Sequence, residues 1–273
     1  MADQWIEKRI LIWGKTYPEL SAKYYETVCT GGTLENGKFI RIYPIPFRYL
    51  SEDNKFTKYQ WIRAKIKKSE QDPRSESYKI DPQSIVVEES VPPDNYQWFA
   101  RAQHIFKDSF FQFNTVESLL KENKKNKTSM GFVRPLSIDK IEFIDRPDTD
   151  YDTFLRKFEE NRQKSAQIEL FGSLTANEIK SLHYVSSRFR ILWTCHDPSC
   201  KGHKMQILDW EVYELLRKVG YNKTKDRLNS ILSMSEHHIG FFLGNFRLHS
   251  SAFAIGGIWY PRKSNNTPNL SLF

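Results

Sequence analysis

Tyr59-Gln-Trp-Ile-Arg-Ala-Lys-Ile-Lys67 alternates over nine residues, and its reading decides the fold of the first third of the chain. Side chains along a strand point to opposite faces in turn. Ile62, Ala64 and Ile66 therefore form an aliphatic stripe for a core, while Tyr59, Trp61, Arg63, Lys65 and Lys67 form an aromatic and cationic stripe on the other face. Phe39-Ile-Arg-Ile-Tyr43 repeats the pattern, with Ile40 and Ile42 on one side and Phe39, Arg41 and Tyr43 on the other. Asn36-Gly37 just before it is a hairpin-turn signal. Pro44 and Pro46 end the strand, since proline cannot donate to the ladder. Upstream, Arg9–Trp13 is a mostly apolar run, and Gly31-Gly32 together with Asn36-Gly37 predicts a loop between the two strands.

Further along, Phe99, Ala102 and Phe106 share one face of a helix predicted over Asp94–Lys107, and Lys140–Ile144 is a short strand. Tyr151, Phe154, Leu155 and Phe158 make an amphipathic helix, followed by a polar segment and by Thr175-Ala-Asn-Glu178, which has the form of a capping box. Arg188–Thr194 is a strand. Leu208, Val212, Leu215, Leu216 and Val219 recur at helical spacing and stop at Gly220, with a second helix over Lys225–Met234. Strands around Ile239–Phe246 and Ala252–Trp259 close the chain. The sum is an α+β fold. It divides as a β-rich segment 1–146, a helical linker 147–174, a smaller mixed domain 175–263 and a polar tail 264–273.

The 273 residues carry 41 Lys+Arg against 33 Asp+Glu, a formal charge of +8, with 14% aromatic residues. That much apolar material excludes a disordered chain. The apolar stretch Leu248–Pro261 is too short for a membrane helix, which needs about 20 residues. The charged start MADQWIEKRILIWGK has no signal-peptide form. These features predict a soluble, cytoplasmic protein with no membrane partner. Three cysteines, Cys29, Cys195 and Cys200, make no disulfide framework and suit a reducing compartment.

Cys195-His-Asp-Pro-Ser-Cys-Lys-Gly-His203 places two thiols and an imidazole in a tight turn between a strand and a helix. Zinc takes such nitrogen and sulfur ligands in tetrahedral array, and Pro198 and Gly202 supply turn chemistry. Cys195, Cys200 and His203 are therefore the expected ligands of a structural zinc. His249 is the preferred fourth ligand, with Cys29, His196 and His183 as other suppliers. Asp209 and Glu211, two apart at a helix start, are the weaker alternative for a catalytic metal centre. Residues two apart on a helix do not share a face, and acids there also complement the helix dipole.

The aromatic and cationic stripe points to nucleic acid, because rings stack on bases and Lys or Arg follows phosphates. Arg41, Tyr43, Tyr59, Trp61, Arg63 and Lys65 form the expected surface, with Lys15, Arg48 and Lys58 on flanking segments. The competing reading is the solvated face of an ordinary antiparallel sheet.

Gln167-Ile-Glu-Leu-Phe171 and Asn269-Leu-Ser-Leu-Phe273 resemble the pentapeptide, of form Q-L-[S/D]-L-F, by which bacterial polymerases and repair proteins bind the sliding clamp. The resemblance implies docking through Gln167, Leu170 and Phe171 in the first copy and Leu270, Leu272 and Phe273 in the second. The strings KTYPELSAKYYETVCTGG, RIYPIPFRYL and CHDPSCKGHKMQILDWE resemble a prokaryotic family to which no function is attached. The basic, Trp-containing β-rich segment is similar in architecture to PUA-like readers of nucleic acid. Together these readings predict a zinc-stabilised nucleic-acid-binding protein of bacterial DNA maintenance or defence that docks on the clamp. A metal-dependent hydrolase of DNA or RNA and an adaptor for an acidic protein partner are the alternatives.

Overall fold

The computed structural model describes residues 4–21, 25–163, 182 and 184–263. Its first part is a sheet of β1 (Ile6–Lys15), β2 (Glu19–Ser21), β3 (Tyr25–Leu34), β4 (Phe39–Ile45), β5 (Gln60–Lys68), β6 (Ser77–Ile80) and β7 (Val86–Ser90). The order β1-β3-β4-β6-β5, with β5 pairing back onto β1, closes it into a barrel. β4 and β6 run parallel, and the other pairs are antiparallel. β2 adds to β3, and β7 adds to β5. Closure leaves no free edge among those five strands. The aliphatic stripes read from the alternation fill the interior, where Ile10, Ile12, Ile40, Ile42, Ile62, Ala64 and Ile66 are buried together.

Asn36-Gly37 turns the β3–β4 hairpin as expected, with Gly37 at φ +87°. Gly31-Gly32, expected in a loop, instead lies inside β3. The reason is packing: a Cβ on Gly31 would sit 2.2 Å from the Trp13 ring, so glycine here admits a neighbouring indole.

The barrel's outer side is not left to solvent. α1 (Phe99–Ile105) and a second sheet cover it. That sheet contains β8 (Gln112–Phe113), β9 (Met130–Val133), β13 (Gly240–Phe246) and β14 (His249–Trp259), in the order β14-β13-β9-β8. Leu11, Trp13, Phe39, Tyr59 and Trp61 from the barrel meet Phe106, Phe132, Phe242 and Trp259 in one buried cluster. Trp13 stacks on Phe242 with centroids 4.5 Å apart, and Phe39 stacks on Phe111 at 4.8 Å. α1 is shorter than the helix expected from Asp94, because Asp94, Asn95, Tyr96 and Trp98 all have positive φ.

The rest of the chain supplies α2 (Val116–Asn126), β10 (Ser137–Asp145), α3 (Asp148–Gln163), β11 (Ser187–Thr194), β12 (His203–Gln206) and α4 (Trp210–Ile231). β10, β11 and β12 form a three-stranded antiparallel sheet. Its core joins Phe189, Ile191 and Trp193 to Phe241, Leu243 and Ile255, under α4. α4 is interrupted at Gly220, φ +76°, where the sequence placed a helix end. The molecule is thus α+β, a barrel-like sheet followed by a mixed domain of helices and strands. No helix among the described residues is long and apolar enough to cross a membrane. Both clamp-like pentapeptides, Gln167–Phe171 and Asn269–Phe273, lie outside the described residues, as do the capping box and His183.

Candidate metal centre and the cleft beside the barrel

The β11–β12 hairpin positions the cysteines and histidine. His203 pairs with Trp193 across the ladder, which sets the turn 195–202 at the sheet's end. Asp197 organises that turn, accepting from the amide and hydroxyl of Ser199 and offering its carbonyl to the Cys200 amide. Gly202, at φ +93°, completes the reversal and donates its amide to the Cys200 Sγ at 3.4 Å. His203 Nε2 lies 3.2 Å from the Cys195 Sγ and 3.3 Å from the Cys200 Sγ.

The fourth corner is Glu117, from the first turn of α2. Its Oε2 lies 3.2 Å from the Cys195 Sγ and its Oε1 3.9 Å from His203 Nε2. The four ligand atoms all fall within 4.8 Å of one another. A tetrahedral zinc with bonds of about 2.0–2.3 Å separates its ligand atoms by roughly 3.3–3.8 Å. Glu117, Cys195, Cys200 and His203 therefore form a zinc-type site. Four protein ligands leave no open position, which is the pattern of a structural site rather than a catalytic one. With no cation, burial pushes the Cys195 thiol up to about 11, against the opposing backbone amides of Asp197 and Val116, and burial lowers the His203 imidazole against the pull of Glu117. His249, the expected fourth ligand, is exposed at the start of β14 and outside this cluster. Glu117 carried no local signal, standing 78 residues before Cys195.

The expected nucleic-acid stripe does not exist as one surface. Tyr59 and Trp61 are buried against the second sheet and α1, with Arg101 over the Tyr59 ring and Arg9 over Trp61. Arg63 and Lys65 remain exposed, and Arg63 is engaged by Glu7 and Glu88. Lys15 donates to the Phe56 carbonyl at 2.7 Å, with its ammonium 3.8 Å from the Phe47 ring; burial lowers its pKa to about 8. Arg48 pairs with Glu26. Lys58 bonds Asp209 at 2.5 Å and Glu211 at 3.0 Å, and Asp209 also caps α4 through the Glu211 amide. The candidate catalytic acids are therefore held by a lysine, whose pKa their charge raises although burial opposes it.

Arg41 and Tyr43 do come together, in a cavity of about 490 Å3 between the barrel and the β13–β14 hairpin. Arg41 is buried and donates to Ser129 Oγ at 2.8 Å and to the Ser129 carbonyl at 3.2 Å. The Ser129 hydroxyl in turn donates to the Glu76 carboxylate at 2.7 Å. Among the described residues no carboxylate lies within ion-pair distance of Arg41. Arg74, on the same cavity wall, binds the Asn245 carbonyl at 2.9 Å and clasps Asp72. Burial opposes ionisation of Asp72, but the Arg74 bonds and charge outweigh it and hold the carboxyl at about 2.

A second cavity of about 520 Å3 adjoins the first, and Thr16, Glu19, Leu208 and Phe246 line both. It adds Arg146, Lys157 and Arg188, with Asp150 taking hydrogen bonds from the two arginines. The joint cleft is lined by seven cations, Arg41, Arg74, Lys79, Arg146, Lys157, Arg188 and Arg247, against three carboxylates, Glu19, Asp72 and Asp150.

No curated protein matches the chain. Residues 6–107, the barrel and α1, match the family model described as domain of unknown function (DUF8758). Residues 112–273, more than half of the sequence and all four ligands of the metal centre, match a second model, so the chain belongs to the family described as domain of unknown function (DUF8757).

Proposed function

We propose that the protein binds nucleic acid by laying an unpaired strand in the cleft between the barrel and the C-terminal sheets, while zinc holds the β11–β12 turn. The observation that carries this reading is the excess of cations along the joined cavities, together with the half-exposed rings of Tyr43 and Phe246 that line the first of them. Phosphates would follow the arginines and lysines, and rings offer every base a stacking face. The surface differs from the strand stripe read in the sequence, yet it keeps Arg41 and Tyr43. A role in bacterial DNA maintenance or defence, and docking on a sliding clamp through Gln167–Phe171 or Asn269–Phe273, belong to the same proposal. A hydrolase built on Asp209 and Glu211 has no support, since Lys58 occupies both acids.

The test is fluorescence anisotropy with a labelled single-stranded oligonucleotide across a salt series. Binding should weaken with salt by about 0.7 log units per log unit for each phosphate contacted. Arg188→Ala and Lys157→Ala should each flatten that slope by about one contact. No binding at low salt, or binding indifferent to salt and to both substitutions, refutes the reading.

A further inference from the structure

The first cavity has features that a phosphate-binding groove does not need. Four glycines, Gly14, Gly31, Gly244 and Gly256, stand in its wall. Gly14 and Gly31 make room for the Gly256 carbonyl and the Trp13 ring, while a Cβ on Gly244 would stand 3.2 Å from the Arg41 guanidinium and one on Gly256 would meet only ordinary contacts. Its volume of about 490 Å3 falls within the range of roughly 300–1,000 Å3 typical of small-molecule pockets. Much of the wall is apolar, with Trp13, Met130 and Ala254 among the lining residues. Arg41 is buried, with the Glu76 carboxylate reached only through Ser129, and Ser129 and the Asn245 carbonyl already take most of its donors. It therefore offers charge and a donor edge rather than a free fork for a phosphate. Two further lining residues each hold a buried polar atom with no partner: the Trp13 Nε1, a donor, and the Asn245 Oδ1, an acceptor. The Asn245 amide is fixed in that sense because its Nδ2 donates to the Ser250 carbonyl at 2.8 Å. A cavity with largely apolar walls, a buried guanidinium, and an unpartnered donor and acceptor among its lining residues suits a flat heterocycle carrying both kinds of group at its edge.

We infer that this cavity receives one unpaired nucleobase of the bound strand, with its edge toward Arg41 and Asn245 and its faces beside Tyr43 and Phe246. The inference rests on the nucleic-acid reading above and deepens it. The adjoining cavity then takes the neighbouring sugar and phosphate, where Arg146, Lys157 and Arg188 stand. An unpaired base enters without the unpairing cost that a duplex would impose.

Gly256 gives the means to test this. A Cβ there would meet only the Phe242 carbonyl oxygen at 3.7 Å and the Trp13 ring at 3.9 Å, ordinary contacts, so Gly256→Leu adds side-chain volume at the cavity wall with its Cβ free of a backbone clash. Phe246→Ala, at a half-exposed position, is the second variant. The full chain and both variants are titrated against a labelled single strand and against an abasic strand of equal length and charge, with melting curves beside each titration. The expected result is that the intact protein binds the base-bearing strand at least tenfold more tightly than the abasic one. Both variants should lose that advantage and bind the abasic strand like wild type. Equal binding of the two strands by the intact protein overturns the base pocket and leaves the cleft standing. So does undiminished preference in variants that melt normally. If Gly256→Leu does not fold, Phe246→Ala decides alone. Failure of the intact protein to bind either strand overturns the nucleic-acid reading itself.

Discussion

Removing zinc from the Glu117, Cys195, Cys200 and His203 centre should cost the C-terminal part several kcal/mol without unfolding it. A ligand that binds only the folded state stabilises it by about 4 kcal/mol when its free concentration is a thousandfold above Kd. For a domain of 150–250 residues each kcal/mol moves Tm by about 2–4 °C. The family segment 112–273 has that size, so a chelator should lower its melting temperature by roughly 8–16 °C. Complete unfolding, as in a small zinc finger, is not expected, because Phe189, Ile191, Trp193 and Phe241 make a core that needs no metal. Cys200→Ser should reproduce the chelator. Glu117→Gln, if it weakens zinc a hundredfold, costs about 2.7 kcal/mol, and His249→Ala should change nothing. Zinc per chain by elemental analysis, with calorimetry in and out of chelator, reads all four. A protein that carries no zinc and melts alike with and without chelator refutes the argument. A Cys200→Ser variant that keeps its metal does so too.

Three other outcomes follow from contacts described above. Lys58→Ala strands the Asp209 carboxylate, 2% exposed, without its cation, and should destabilise by about 3–5 kcal/mol in chemical denaturation. Adding Asp209→Asn should recover part of that loss, and a loss below about 1 kcal/mol would mean that the pair is solvated. Asp72 is held at about 2 in the fold against 3.8 when free, so it adds about 2 kcal/mol above pH 4, lost as the pH falls through 2. Asp72→Asn should remove that part of the acid dependence, and an unchanged profile between pH 2 and 5 counts against it. Deleting Asn269–Phe273, in a background that also carries Leu170→Ala and Phe171→Ala, should abolish association with a purified bacterial sliding clamp and leave Tm unchanged. Undiminished association, or none by the intact protein at tens of micromolar, ends the clamp proposal.

The aliphatic halves of the two alternating strands were legible, because Ile40, Ile42, Ile62, Ala64 and Ile66 have one physical use, the barrel interior. Their other halves were not. A period of two says that Tyr59 and Trp61 share a face but not whether water or a second sheet meets it, and here β9, β13 and β14 meet it. The same blindness hid Arg41, which reads as a surface cation and stands buried beside Ser129. Cys195, Cys200 and His203 were readable since one short turn brings them together. Glu117 was not, because α2 reaches the turn only through tertiary packing. Gly31-Gly32 read as a turn because glycine serves both bends and close contacts, and only the Trp13 ring above it distinguishes the two.

The rings shared between the barrel and the β13–β14 hairpin bear on how the chain divides as well as on stability. Trp13 lies in the segment 6–107, and Phe242, on which it stacks, lies in the segment 112–273. Neither segment closes its own aromatic surface. A cut at residues 108–111 would yield two pieces, each presenting half of a dry interface and each adhesive until the other arrives. Two such pieces should reassemble when mixed, as a split protein does. A chain carrying one segment alone would leave that aromatic surface open to water or to another partner.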